Sequence, residues 1–90
     1  MTRKQKAVET ALLRKGFFQH DTDHSYFVYY TLDGKKTRAK TKTSHGKREL
    51  NNFLLGAMAK QVKLTKKDFI DLVDCPLDRE GYEEKAGDRL

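Results

Sequence analysis

The dipeptide Asp33-Gly34 lies between two strand-like runs and constrains this chain more than any other feature. Asp-Gly tolerates the positive φ angles of tight hairpin turns, so the segment before it folds back on the segment after it. The first run, His24–Thr31 (HSYFVYYT), is dense in aromatic and β-branched residues. The second, Lys36–Thr43 (KTRAKTKT), alternates cations with small or β-branched residues at a period of two. A two- or four-residue loop centred on Asp33-Gly34 pairs Tyr30 with Thr37, Val28 with Ala39 and Tyr26 with Thr41, and brings His24 near Thr43. In that register one face is free of charge and suited to helices. The other sets Phe27 and Tyr29 among Lys36, Arg38, Lys40 and Lys42.

Around the hairpin the apolar period is helical. Ala7, Val8, Ala11 and Leu12 share one face of a helix expected over Arg3–Lys15, with Gly16 placed as its C-terminal glycine. Phe17-Phe18 opens a short extended segment that stops at the polar cluster His20–Asp23. Leu50, Phe53, Leu54, Ala57, Met58 and Val62 follow amphipathic helical spacing. A last short helix starts at Thr65, a capping residue with Asp68 three positions later and Leu64 and Phe69 as a hydrophobic staple. It ends at Cys75-Pro76. The expected fold class is therefore α+β: a small single domain in α-β-β-β-α order. A three-stranded antiparallel sheet carries helices packed on one face, plus a short C-terminal helix. The domain is expected over residues 1–76, with 77–90 a loose acidic tail apart from Leu77 and Tyr82.

Ninety residues with 37% hydrophobic content support one modest core. No apolar run approaches the roughly 18 residues of a membrane span, so no membrane partner is expected. The charged N-terminal stretch MTRKQKAVETALLRKG lacks the apolar core of a signal peptide, and the lone Cys75 forms neither an internal disulfide nor a metal-site spacing. A cytoplasmic protein is the expectation. The net charge of +6 is divided: residues 1–67 carry 16 Lys and Arg against 5 Asp and Glu, whereas 68–90 carry 3 against 8. A basic working surface with a separate acidic end follows, and nucleic acid is one usual partner of such a surface. Two readings of the basic sheet face compete. Lysine and arginine stems can simply cover the rings of Phe27 and Tyr29. Alternatively the face attracts phosphates and stacks on exposed bases or ribose.

The order LLRKGFF, a histidine opening a strand, DGK, TSHGKREL leading into an amphipathic helix, and LTKKDF resembles the HicA-like toxins from about Ala7 to Leu72. The resemblance implies a double-stranded-RNA-binding-like α/β fold, mRNA cleavage, and silencing by a HicB-like antitoxin protein. It also implies that His24, downstream of Gly16-Phe17, is the catalytic residue. The chain departs from the family's pattern at Thr22-Asp23, where glycine and a small residue usually precede the histidine, and at Thr43, where proline is common. A histidine suits the chemistry because it exchanges protons near neutrality, and RNA carries its own nucleophile in the 2′-hydroxyl. The site expected on these grounds has His24 as general acid or base. Lys36, Arg38, Lys40, Lys42, Phe27 and Tyr29 bind RNA, and neither cofactor nor metal takes part. A non-catalytic RNA-binding module and a protein-binding domain that offers its basic strand edge to an acidic partner stay open as alternatives. His20 and His45 are expected in turn or loop, and Asp21 and Asp23 are accounted for by turn chemistry.

Overall fold

In a computed structural model, the structure describes residues 2–21, 25–43, 49–74 and 76–90. Its elements are β1 (Arg3–Lys4), α1 (Gln5–Arg14), β2 (Phe17–Asp21), β3 (Ser25–Tyr30), β4 (Lys36–Thr43), β5 (Glu49–Leu50), α2 (Asn52–Gln61), α3 (Lys66–Asp74) and α4 (Arg79–Ala86), followed by a 3₁₀ turn at Gly87–Arg89. β2, β3 and β4 form the expected three-stranded antiparallel sheet in that order. The helices pack on one face of it, and among the described residues no helix is long and apolar enough to cross a membrane. Arg3 and Lys4, expected in the first helix, instead pair with Leu50 and Glu49 as a second, two-stranded sheet.

Local chemistry sets the boundaries. α1 stops at Gly16, whose φ of +97° few side chains adopt and whose missing Cβ leaves room for Arg79. Asn51 caps α2 by accepting from the Leu54 N–H at 2.9 Å, and Thr65 caps α3 by accepting from the Asp68 N–H at 3.1 Å. The buried side of α2 is Leu55, Met58, Ala59 and the C-cap Val62, so Phe53, expected on the apolar stripe, is 80% exposed.

The expectation of a loose tail is corrected. Asp78 caps α4 by accepting from the Gly81 N–H at 2.7 Å, and Tyr82 and Ala86, one turn apart, are fully buried. Tyr82 meets Phe17 and Tyr29 at ring-centroid distances of 5.3 and 4.7 Å, and Phe17 and Tyr29 are themselves 5.2 Å apart. The Tyr82 hydroxyl donates to the Val62 carbonyl at 2.7 Å. The buried Lys15 ammonium donates to the Leu77 carbonyl at 2.5 Å, tying the end of α1 to the start of this segment. Burial raises the Tyr82 pKa well above the usual phenol value, with a further rise from Tyr29. Leu77, Tyr82 and Ala86 thus belong to the one core, Leu90 packs against it, and the segment that carries them is not loose.

The hairpin register also differs from expectation. Ser25 pairs with Thr43, Tyr26 with Lys42, Phe27 with Thr41 and Val28 with Lys40, then a bulge intervenes and Tyr30 pairs with Lys36. Between Val28 and Tyr30 the chain advances two positions on β3 against four on β4. Thr37 repairs the interrupted ladder: its hydroxyl donates to the Tyr29 carbonyl at 2.8 Å and accepts from the Ala39 N–H at 3.2 Å. The loop, residues 31–35, is longer than the expected turn and is closed by Thr31. The Gly34 N–H donates to the Thr31 carbonyl at 2.8 Å and the Lys35 N–H to the Thr31 hydroxyl at 3.0 Å. The pairing is therefore one residue from the symmetric solution on either side of the bulge, which exchanges the two faces of β3.

Candidate nucleic-acid interface

β4 permits one orientation. Its even positions are Lys36, Arg38, Lys40 and Lys42, all exposed, because unpaired ammonium groups are not buried. Its odd positions turn inward, and the hydroxyls of two of them are satisfied on the helices. Thr41 donates to Gln61 Oε1 and Thr43 to Glu9 Oε2, each at 2.6 Å. On β3 the true register sends Ser25, Phe27 and Tyr29 inward with them.

Phe27 and Tyr29, expected to present rings to RNA, are accordingly corrected to core residues, each with no exposed surface. The Tyr29 hydroxyl donates to Glu83 Oε1 at 2.7 Å, and the Arg79 guanidinium lies 5.8 Å from its ring centroid. Burial, reinforced by the bond to Glu83, pushes the Tyr29 phenol up to about 12. The cations, by contrast, stand where they were expected.

Different rings accompany them. The outward positions are Phe18 and His20 on β2 and Tyr26, Val28 and Tyr30 on β3. Phe18, 54% exposed, meets Tyr30 edge-on at 4.8 Å between centroids. The Lys40 Nζ lies 4.8 Å from the Tyr26 ring centroid, a cation–π contact on the same face. Val28 is buried yet lies outside the main core cluster; it is the floor of this second face, paired with Phe18 on one side and Lys40 on the other. Cross-strand rows run Phe18–Val28–Lys40 and His20–Tyr26–Lys42.

Among the described side chains at these outward positions there is no carboxylate. The two ends of the face differ nonetheless. At the loop end, Lys36 and Arg38 border a depression of about 500 Å³ that Glu83 also lines. At the other end, Tyr26, Lys40 and Lys42 border one of about 240 Å³ with Thr41 and Gln61, and among the described residues no acid lines it. Three acids of the C-terminal third are paired on the helical side: Asp74 with Arg3 at 2.7 Å, Asp71 with Lys67 and Asp68 with Lys85 each at 3.6 Å. The Arg3 hydrogen bond lowers the Asp74 pKa, and Asp74 in turn raises that of Arg3.

His24 and His45 lie outside the described residues, as do Thr22, Asp23 and Ser44; the described neighbours of His24, Asp21 and Ser25, pair with each other. His20, expected in a turn, belongs to β2 and is exposed on the open face. The signal for it was available: Phe18 and His20 stand two apart, so any strand long enough to hold both places them on one side. Among the described residues no group of three or more His, Cys, Asp or Glu side chains could hold a metal ion.

Comparisons with protein-family models, with curated proteins and with solved structures find no match to this chain.

Proposed function

We propose that this chain binds single-stranded RNA on the open face of its sheet. In keeping with its resemblance to HicA-like toxins, we propose further that it cleaves mRNA without a metal, His24 acting as general acid or base. The observation that carries the binding half is the end of that face where Lys40 lies over Tyr26, Lys42 stands beside it and no carboxylate is found among the described side chains. Aromatic faces stack on unpaired bases of any sequence, and lysines follow the phosphates; a sheet that interleaves the two suits an unpaired strand better than a duplex. Asp68, Asp71 and Asp74, paired on the helical side, leave the exposed cations of β4 to draw a polyanion to the sheet.

In the cleavage half, a base takes the 2′-hydroxyl proton and the 2′-oxygen attacks the adjacent phosphorus. The P–O5′ bond breaks, its oxygen gains a proton, and a 2′,3′-cyclic phosphate remains. One histidine contributes about 10²–10⁴ to such a rate, so the enzyme is slow. A HicB-like antitoxin protein is the partner that this reading implies. The same face serves a non-catalytic RNA-binding module equally well, and the two readings part on cleavage. Purified protein incubated with total RNA and a chelator is expected to cleave it, and His24→Ala is expected to bind with parental affinity and cleave far more slowly. Cleavage by His24→Ala at the parental rate refutes the catalytic assignment. Salt-sensitive binding with no cleavage by the parent leaves the module.

A further inference from the structure

The row His20–Tyr26–Lys42 crosses all three strands of the sheet, and its first member is a histidine, a side-chain type suited to exchanging protons near neutrality. We propose that His20 is a phosphate contact at the β2 edge of the open face, switched on by protonation, and that it extends the cationic track from Lys42 past the Tyr26 ring to the far side of the sheet. This rests on the single-stranded RNA reading above and goes beyond it by extending the path of the strand from the cations of β4 across the sheet to β2.

The geometry supports it on three counts. His20 is exposed, and its position two residues from Phe18 puts it on the face that carries the Phe18–Tyr30 contact. The groups facing it are Phe18 on its own strand, Tyr26 across on β3, and Lys42 and Lys40 beyond on β4, while the helices pack on the opposite side. None of these is an acid, so no described carboxylate of the face competes for an imidazolium there. Without a cation at His20, the described residues on the β2 side of the face offer a strand only Phe18 to stack on and no charge to hold its phosphate. An anion beside an imidazole favours the charged form, so RNA binding and proton uptake reinforce each other.

The probe is a fluorescently labelled, mixed-sequence 2′-O-methyl RNA of about ten nucleotides, within the usual span of such surfaces and resistant to 2′-hydroxyl cleavage. Its affinity for the full chain is measured at about pH 5.5 and pH 8, spanning histidine titration, at constant ionic strength. The parent is expected to bind roughly two- to fivefold tighter at the lower pH, the range of one exposed ion pair. His20→Gln is expected to bind weakly and equally at both, and His20→Lys as tightly at the higher pH as the parent at the lower. The inference is overturned if His20→Gln keeps the parental pH response, or if His20→Lys gains nothing at the higher pH. Parental binding that depends on Lys40 and Lys42 but ignores pH overturns this inference and leaves the interface standing. No binding at either pH overturns both.

Discussion

Removing Lys40 and Lys42 together tests the interface most directly, because counterion release converts phosphate contacts into a measurable slope. Each phosphate neutralised on a single strand contributes about −0.7 to the slope of log K against log salt. With Lys36, Arg38, Lys40 and Lys42 all engaged, the parental slope is about −2.8, or ~50-fold weaker binding on going from about 50 to about 200 mM salt. Lys40→Ala/Lys42→Ala leaves two contacts, a slope of about −1.4 and ~7-fold weakening over the same interval. Both side chains are exposed and neither makes an ion pair among the described residues, so the fold should tolerate their loss. The control is Lys6→Ala/Arg14→Ala, which removes the same charge from exposed positions of α1, a helix whose Val8, Ala11 and Leu12 pack against the core. Fluorescence anisotropy across a salt series gives all three slopes. If the control flattens the slope as much as the sheet variant does, attraction is to net charge and the face has no special role. If neither variant changes it, Lys40 and Lys42 do not meet phosphate.

Three further outcomes follow from the packing. Tyr26→Ala should leave thermal stability nearly unchanged and weaken RNA binding by about 1–3 kcal/mol, the worth of one stacked base, whereas Phe27→Ala should cost about 3–5 kcal/mol of stability; denaturant titration that reversed the two would refute the register. Tyr29 should make the fold sensitive to alkali. The unfolded phenol ionises near pH 10 while the folded one is held to about 12, so the contribution is intact below about pH 10 and lost as pH rises through about 12. Urea unfolding at pH 9 and pH 11 should show a smaller loss for Tyr29→Phe than for the parent, and equal losses would contradict the assignment. Gly56→Ala should stabilise α2 by up to about 1 kcal/mol, since a Cβ there meets nothing nearer than Lys66 Cδ at 3.8 Å; a lower melting temperature would show that α2 requires the glycine.

Much of this molecule was legible in its residues. The alternation of β4 alone sends Lys36, Arg38, Lys40 and Lys42 to water, because the opposite choice buries four unpaired charges. The caps Thr65 and Gly16 marked helix ends through chemistry that acts over a few residues. Asp33-Gly34 marked the hairpin, and from these the α+β order followed. β3 was different. Phe27 and Tyr29 on one side and Tyr26, Val28 and Tyr30 on the other are all large and apolar enough to be buried, so its pattern does not say which side faces the helices. That choice fell to the length of the 31–35 loop and to Thr37, whose hydroxyl makes a bulge tolerable by standing in for a ladder bond.

Tertiary structure alone also recruited α4 and exposed His20. A helix of Arg79–Ala86 with just Tyr82 and Ala86 buried shows too little periodicity to be seen in isolation; its stability comes from the rings of Phe17 and Tyr29, which are distant in sequence. His20 became a face residue only because β2 continues to Asp21 alongside β3, a matter of how far two strands stay paired. The sequence determined, by charge and by local turn and cap chemistry, that there would be a hairpin with a cationic side and helices on its other side. Which aromatic rings stand among those cations depended on long-range packing, because a pleated strand with two apolar faces is indifferent to a flip until its neighbours close around it.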